Sequence, residues 1–252
     1  PKSLPWESLV TDGVIARTVE DAALMLGAMA GLDHRDPMAI ATPTWPLPDF
    51  CAPGGESARV GYSLDLGVTS IETEVVEVFE QAIATIAQVC AHTRPAAIDA
   101  RGAKFAFETL RGAIVFHNYR VLLQNHGDQL TDMVRWEIEQ GRGVTAADYL
   151  RAEEQRGKIR HHFLEFFEHH DVLLTPSASV LPFPLSQSAV LQINDIPLDN
   201  AIDYLAITYT LSLTGLPVVS LPCGWTPSGL PVGLQILGPP QGETQLLRFA
   251  FF

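Results

Sequence analysis

The stretch TGLPVVSLPCGWTPSGLPVGLQILGPP, Thr214 to Pro240, holds one cysteine, two serines, five glycines and six prolines, and no charged residue. Cys223 is its obvious nucleophile. A reactive cysteine needs its thiolate stabilised by a histidine, a cation or a helix N-terminus. No histidine or basic residue lies within twenty positions of Cys223. A cysteine at a strand end more often packs as a small hydrophobe, and that is the expectation here.

Other candidates meet the same test. In HHFLEFFEHH, residues 161 to 170, His161, Glu165 and His169 fall at i, i+4 and i+8 and share one helix face. That spacing could place three metal ligands together, but it lacks the HExxH order. The doubling of His161 with His162 and of His169 with His170 fits a solvated helix surface, so no metal is expected. His117 and His126 are read as ordinary helix residues. Arg17, in ARTVED, could bind an acidic substrate group; an ion pair or a bond to backbone carbonyls that fixes the loop is the expected role. Gly54 and Gly55 lack the spacing of a phosphate loop, and Gly215, Gly224, Gly229, Gly233 and Gly238 do not form GxGxxG. Tyr204, Thr208, Tyr209, Thr210, Ser212, Thr214 and Ser220 lie in a charge-free region. They must bond internally or face a cavity suited to an uncharged organic ligand.

The elements that position these residues follow from pattern. Fifteen of the sixteen basic residues lie at or before Arg160, and from Val172 to Gly242 the only charged side chains are Asp195, Asp199 and Asp203. The chain therefore divides into a solvated helical part, 101–170, and an apolar sheet part, 171–252, buried on most sides. RTVEDAALMLGAMAG predicts a helix capped by Thr18 and stopped at Gly31, apolar nearly all round and so packed on several faces. Residues 33 to 57 carry no period and predict a long surface connection. ARVGYS reads as a strand, and Val75, Val78, Phe79, Ala82, Ile83 and Ile86 mark an amphipathic helix after it. Long helices follow over 101–126 and 145–170, the second opened by a Thr145/Asp148 capping box. DVLLTPS is a buried strand ended by Pro176. LPVVSLPCG and LPVGLQILG form a hairpin across WTPSG, and GETQLLRFAFF starts a helix.

The totals narrow the function class. With 252 residues, 47% of them apolar, the chain can bury a sizeable core. A net charge of −13 excludes a phosphate-backbone or anionic-membrane partner. Cys51, Cys90 and Cys223 are odd in number and far apart, which fits free thiols and a cytoplasmic location. The N-terminus has no secretory apolar segment, and no unbroken apolar run reaches membrane-spanning length. The chain begins without Met and ends within a helical pattern, so both ends are expected to be cut from a longer protein.

DGVIARTVEDAALML at 12 to 26, HHDVLLTPS at 169 to 177 and LTGLPVVSLPCGWTPSGLPVGLQILGPPQGETQLLRFA at 213 to 250 together resemble the downstream half of the amidase signature enzymes. The order and spacing match over essentially all 252 residues. The resemblance implies an α/β/α sandwich around a mixed sheet, one amidase-type domain over 1–252. It also implies carboxamide hydrolysis by a Ser-cisSer-Lys triad, without a cofactor. In that mechanism the bridging serine relays a proton between the nucleophile and an unprotonated lysine, and backbone amides hold the oxyanion. The family's Gly-Ser-Ser-Gly-rich segment is absent from this sequence, and Lys2, Lys104 and Lys158 do not sit in the catalytic lysine's context. The chain alone is thus expected to be inactive.

By the same resemblance Tyr204, Thr208, Tyr209 and Leu211 line the substrate pocket, with Leu205 beside them. Arg17, Gly215, Pro217, Gly233 and Gln235 are then structural. Glutamine-specific relatives carry an acidic residue near Leu205, so glutamine is disfavoured as ammonia donor; Ser212 replaces the usual Asn. The implied partners are a small neutral amide and the missing N-terminal half, another chain or a second copy. The rival reading is a non-catalytic amidase-like chain that binds a partner, and a third is a self-sufficient Cys223 thiol hydrolase.

Overall fold

The computed structural model describes residues 4–41 and 55–252. Most of the connection expected over 33–57 lies outside the described residues, as do Lys2, Cys51 and Gly54. A five-stranded mixed sheet organises the remainder. Its strands are β1 (Arg59–Tyr62), β2 (His92–Pro95), β3 (Val172–Pro176), β6 (Val218–Trp225) and β7 (Pro231–Leu237), in the order β2-β1-β3-β7-β6. A separate small hairpin pairs β4 (Gln192–Ile193) with β5 (Ile196–Pro197). β1 runs parallel to β2 and β3, and β7 runs antiparallel to β3 and β6.

Helices cover both faces: α1 (Val19–Met29), α2 (Thr73–Val89), α3 (Ala103–His126), α4 (Asp132–Gln140), α5 (Ala146–His169), α6 (Ala206–Thr214) and α7 (Glu243–Phe251). The period-two alternation of β3 assigns its side chains to opposite faces. Val172 and Leu174 join Phe79 and Ile83 of α2, Leu234 and Ile236 of β7, and Leu246 of α7. Leu173 turns the other way, toward Leu110 of α3, Ile159 and Phe163 of α5, and Ile207 and Leu211 of α6. All five residues of β3 are buried, because both faces are covered.

The local signals work as chemistry requires. At α5, Asp148 N–H donates to Thr145 Oγ1 (3.1 Å) and Thr145 N–H donates to Asp148 Oδ2 (3.1 Å), so two otherwise unpaired backbone donors are satisfied. Thr18 caps α1 by accepting from Asp21 N–H. At the end of α6, Gly215 takes φ +60°, a left-handed turn that its lack of a Cβ makes cheap.

Several expectations need correction. α1 is not packed on several faces: among its residues only Ala23 is buried, against Leu247 of α7, while Leu24, Met25 and Met29 are exposed. β6 is an edge strand rather than a buried one; exposed and partly buried residues alternate along it, and Trp225 is 68% exposed. Arg17 is exposed and bonds to none of the described residues, so the anticipated anchoring contact is not formed there. The sequence pattern also gives no sign of β2, α4 or the β4–β5 hairpin.

One ion pair ties the parallel strands together. Asp171, just before β3, accepts from Arg59 N–H (2.8 Å) and Nη2 (2.8 Å), while its own N–H donates to Arg59 O (2.8 Å). The bond from the Arg59 side chain, opposed by partial desolvation and aided by the Arg59 backbone N–H, holds the Asp171 carboxyl below its ordinary range. A folded-state pKa below the unfolded one stabilises the fold above the ordinary carboxylate pKa, and that contribution is lost as pH falls below it. Arg59 is about half exposed, so screening discounts the pair. Asp171→Ala is expected to lower stability by roughly 1–2 kcal/mol at pH 7 in urea unfolding. The difference from wild type should shrink as pH drops below about 4; a pH-independent difference would contradict the assignment.

Candidate functional site

A cavity of about 270 Å³ opens where three segments converge: the loop after β3 from Ser177 to Phe183, Tyr204 in the 3₁₀ turn before α6, and the start of β7 from Pro231 to Gly233, with Val75 of α2 closing one side. Pro176 ends β3 and the chain turns away from the sheet. The turn is then strapped in place. Ser177 N–H donates to Gly233 O (2.9 Å), Leu181 N–H to Glu72 Oε2 (2.7 Å), and Glu72 N–H to Ser179 O (2.8 Å). Thr208 Oγ1 donates to Ser177 O (3.2 Å), which ties α6 to the same loop.

Tyr204 is fixed by the polar knot beneath it. Lys104 Nζ of α3 donates to Asp199 Oδ2 (2.6 Å) and Asp203 Oδ2 (2.7 Å), and the latter oxygen also accepts from the N–H groups of Asp199 (3.0 Å) and Asn200 (3.2 Å). Asn200 Nδ2 reaches Glu108 Oε1 (2.6 Å). Partial burial works against the charge of Lys104, but its two carboxylate partners outweigh that and raise its pKa. It is held as an ammonium, the wrong state for a proton-accepting base. With the turn so fixed, the rings of Tyr204 and Phe183 meet edge to face, 6.0 Å between centroids and 86° apart.

The expected pocket residues separate. Tyr204 lines the cavity, and Thr208 touches its wall through Ser177. Tyr209 is buried and stacks on Phe107 at 4.3 Å; burial, then Asp203 and Glu108, push its hydroxyl pKa up. Leu211 is buried in the helical core and Leu205 is partly exposed. Neither Tyr209 nor Leu211 lines the cavity. Among the residues read as structural, Gln235 is buried and its Nε2 donates to Pro176 O (2.9 Å) and Thr175 Oγ1 (3.3 Å). Pro217 O accepts from Gly238 N–H (3.0 Å). A Cβ at Gly233 would overlap Ser177 Oγ, so this glycine permits the close approach of the two residues in the cavity lining. Ser177 and Phe183 were missed by sequence reasoning; the signal available was a serine after a strand-ending proline and an aromatic ring in LPFP.

Three of the seven polar residues of the charge-free region, Thr208, Ser212 and Thr214, bond internally. Thr214 Oγ1 donates to Leu211 O (2.6 Å) and Ser212 Oγ to Thr208 O (3.3 Å), while Ser220 sits exposed on the edge strand. Ser179 Oγ, Thr210 Oγ1 and Asp203 Oδ1 are buried without a partner among the described residues.

Other candidates recede. A wider cleft, about 870 Å³, lies between residues 5–12, the end of α1 and the α5–α6 contact. Its guanidinium groups are already engaged: Arg156 Nε donates to Leu213 O (2.9 Å) and Arg160 Nη1 to Thr214 O. In α5, His161 faces solvent near Glu165 (3.3 Å), while His162 Nδ1 pairs with Asp99 O (2.7 Å). His170 stacks on Phe166 and pairs with its carbonyl (3.1 Å). Among the described residues no three of His, Cys, Asp and Glu are grouped to hold a metal, and no serine or cysteine bonds to a lysine or histidine. Among them, no helix is long and apolar enough to cross a membrane.

Cys223 lies at the β6 bulge between Pro222 and Gly224, and burial pushes its thiol up to about 11. Its alkylation by iodoacetamide at pH 8, followed on the Cys223 peptide by mass spectrometry, is expected to run on the order of 100-fold slower than that of a free thiol. It should climb as pH approaches 11. Rapid labelling at neutral pH would restore this cysteine as a nucleophile.

The family model described as Amidase matches residues 6–247. An amidase of Pseudomonas putida is 32% identical over 255 residues, covering 98% of this chain and 53% of its own length. An acylamidase of Rhodococcus erythropolis is 29% identical over 241 residues, covering 94% and 50%. A glutamyl-tRNA(Gln) amidotransferase subunit from Geobacter sp. (strain M21) is 27% identical, covering 97% and 54%. Among solved structures, a bacterial aryl acylamidase of the amidase signature enzymes superposes with a TM-score of 0.84 at 22% identity, over 94% of this chain and 51% of that one. The chain thus spans about half the length of the curated relatives it matches. With the mixed sheet, the strapped loop after β3 and the TGLP hairpin all in place, the chain belongs to the amidase signature family.

Proposed function

We propose that these 252 residues are the pocket-bearing C-terminal portion of a single amidase-type domain in a cytoplasmic enzyme. The enzyme would hydrolyse a small neutral carboxamide to a carboxylate and ammonia or an amine. The supporting observation is the 270 Å³ cavity, lined by Ser177, Phe183, Tyr204 and Gly233 and by no charged side chain, on a chain of this family. The P. putida amidase and the R. erythropolis acylamidase support amide hydrolysis by their names. Leu205 disfavours glutamine as ammonia donor.

The chemistry would come from a Ser-cisSer-Lys triad outside this chain. Its nucleophilic serine attacks the amide carbonyl and forms an acyl-enzyme as the C–N bond breaks. The bridging serine passes the proton to the leaving nitrogen, and water then releases the carboxylate. Lys104, held charged by Asp199 and Asp203, supports placing the lysine base elsewhere. The free edge of β6 and the bare face of α1 are the surfaces on which the upstream half, or another chain, would pack. That the amidotransferase relatives are themselves subunits makes another chain reasonable.

A second reading, a non-catalytic amidase-like chain that binds a partner, is favoured by one observation: no serine–base pair among the described residues. Labelling separates the two. The 252-residue chain is expected to remain unlabelled by a fluorophosphonate probe and inert toward simple amides. A longer protein that adds an upstream Gly-Ser-Ser-Gly segment should label and turn over. Labelling of the short chain would refute the external triad, and silence of the longer one would establish the non-catalytic reading.

A further inference from the structure

We propose that the cavity between Phe183, Tyr204 and Gly233 is a slot for one uncharged aromatic ring bearing its carboxamide, so that the substrate class is aryl carboxamides rather than aliphatic or charged ones. The inference rests on the proposed amidase reading and specifies what its pocket takes. Three observations carry it.

The first is shape. Phe183 and Tyr204 stand edge to face in the lining, and Val75, Leu181 and Val232 supply aliphatic walls. A third flat ring can join such a pair by stacking on one member and presenting its edge to the other, a gain beyond simple burial. An apolar cavity of roughly 150 Å³ holds a benzene molecule. The 270 Å³ here is therefore large enough for one substituted ring.

The second is polarity in the lining. The hydroxyls of Ser177 and Tyr204 form no hydrogen bond with the described residues, although both residues are only partly exposed. Two neutral hydroxyls can donate to a carbonyl oxygen and accept from an amide N–H. Gly233 keeps Ser177 Oγ in the lining, since a Cβ there would occupy its place.

The third is charge. The lining contains no ionisable group other than the Tyr204 phenol; of the carboxylates on adjoining segments, Glu72 Oε2 accepts from Leu181 N–H and Asp203 Oδ2 from Lys104 and two backbone donors, while Asp203 Oδ1 is buried without a partner among the described residues and outside the lining. A carboxylate on the ligand would lose its hydration and find no cation, which rejects it.

Binding is measured on the 252-residue chain by ligand-observed NMR, and turnover on the longer protein that carries the upstream segment. Benzamide is expected to bind saturably, at least about tenfold more tightly than acetamide, while 4-carbamoylbenzoate and glutamine bind about tenfold or more weakly than benzamide. Phe183→Ala and Tyr204→Leu should each erase most of the benzamide preference over acetamide; Tyr204→Leu, which also removes a hydroxyl that meets the amide, should weaken both ligands but benzamide more. Phe183 is partly exposed, so its variant folds, and circular dichroism checks both. If benzamide and acetamide bind alike, or both variants weaken them equally, the aromatic slot is wrong even where the longer protein hydrolyses amides. If benzamide binds as expected but the longer protein hydrolyses no amide, the slot stands and the amidase reading falls.

Discussion

The antiparallel junction of β3 with β7 is the constraint on which the rest depends. Leu173, Leu174, Thr175 and Pro176 face Leu237, Ile236, Gln235 and Leu234 in register, and Gln235 closes the junction by donating its buried amide to Pro176 O and Thr175 Oγ1. A buried amide without partners is costly, so a slip of this pairing by one residue would strand Gln235 and also turn Leu234 and Ile236 to the wrong face. Once the register is set, Gly233 must lie against Ser177. The loop after β3 then has one path, and the cavity follows from it.

The cavity is neutral for a reason that lies one layer away. Two of the three charges between Val172 and Gly242, Asp199 and Asp203, meet Lys104 of α3 under the 3₁₀ turn, and the third, Asp195, lies in the β4–β5 turn outside the lining. Holding Asp199 and Asp203 at the helix interface positions Tyr204 and leaves the lining to hydroxyls and hydrocarbon. The helical part therefore serves the sheet part directly, through one lysine, as well as by covering its face with Leu110, Ile159 and Phe163.

How much of this was legible depended on whether local pattern or tertiary context decided each element. The α2 helix was readable because Val75, Val78, Phe79 and Ile83 repeat at helical spacing and all are buried. The α5 start was readable because Thr145 and Asp148 are a self-contained chemical device. By contrast, β2 reads HTRP and has little strand propensity; it forms because β1 offers a parallel edge. The apolar character of β6 suggested burial, yet hydropathy reports only what a surface can cover, not whether a neighbour is there. The apolar girdle of α1 misled in the same way. In the candidate site, family resemblance pointed to Tyr204, which lies at the cavity, and equally to Tyr209 and Leu211, which are buried in the core on α6. Assigning faces on α6 needs the neighbours, because its hydroxyl residues Thr208, Thr210, Ser212 and Thr214 are spread around it and no charged side chain marks a solvent face.

The neutral lining proposed to take an aromatic ring offers no base beside its own hydroxyls. An activated serine requires a base beside it, and a base in this lining would carry or acquire charge and so weaken the discrimination against charged ligands. Ser177 illustrates the separation: its hydroxyl lines the cavity, but Lys104, under the adjoining turn, is tied up as an ammonium by two carboxylates. In the proposed reading, recognition and bond cleavage reside on different segments of the fold. The edge of β6 and the uncovered side of α1 are where a second segment can be laid against this one without disturbing the β3–β7 junction. In this architecture the charge-free TGLP hairpin contributes geometry through Gly233 and Gln235, and no catalytic group of its own.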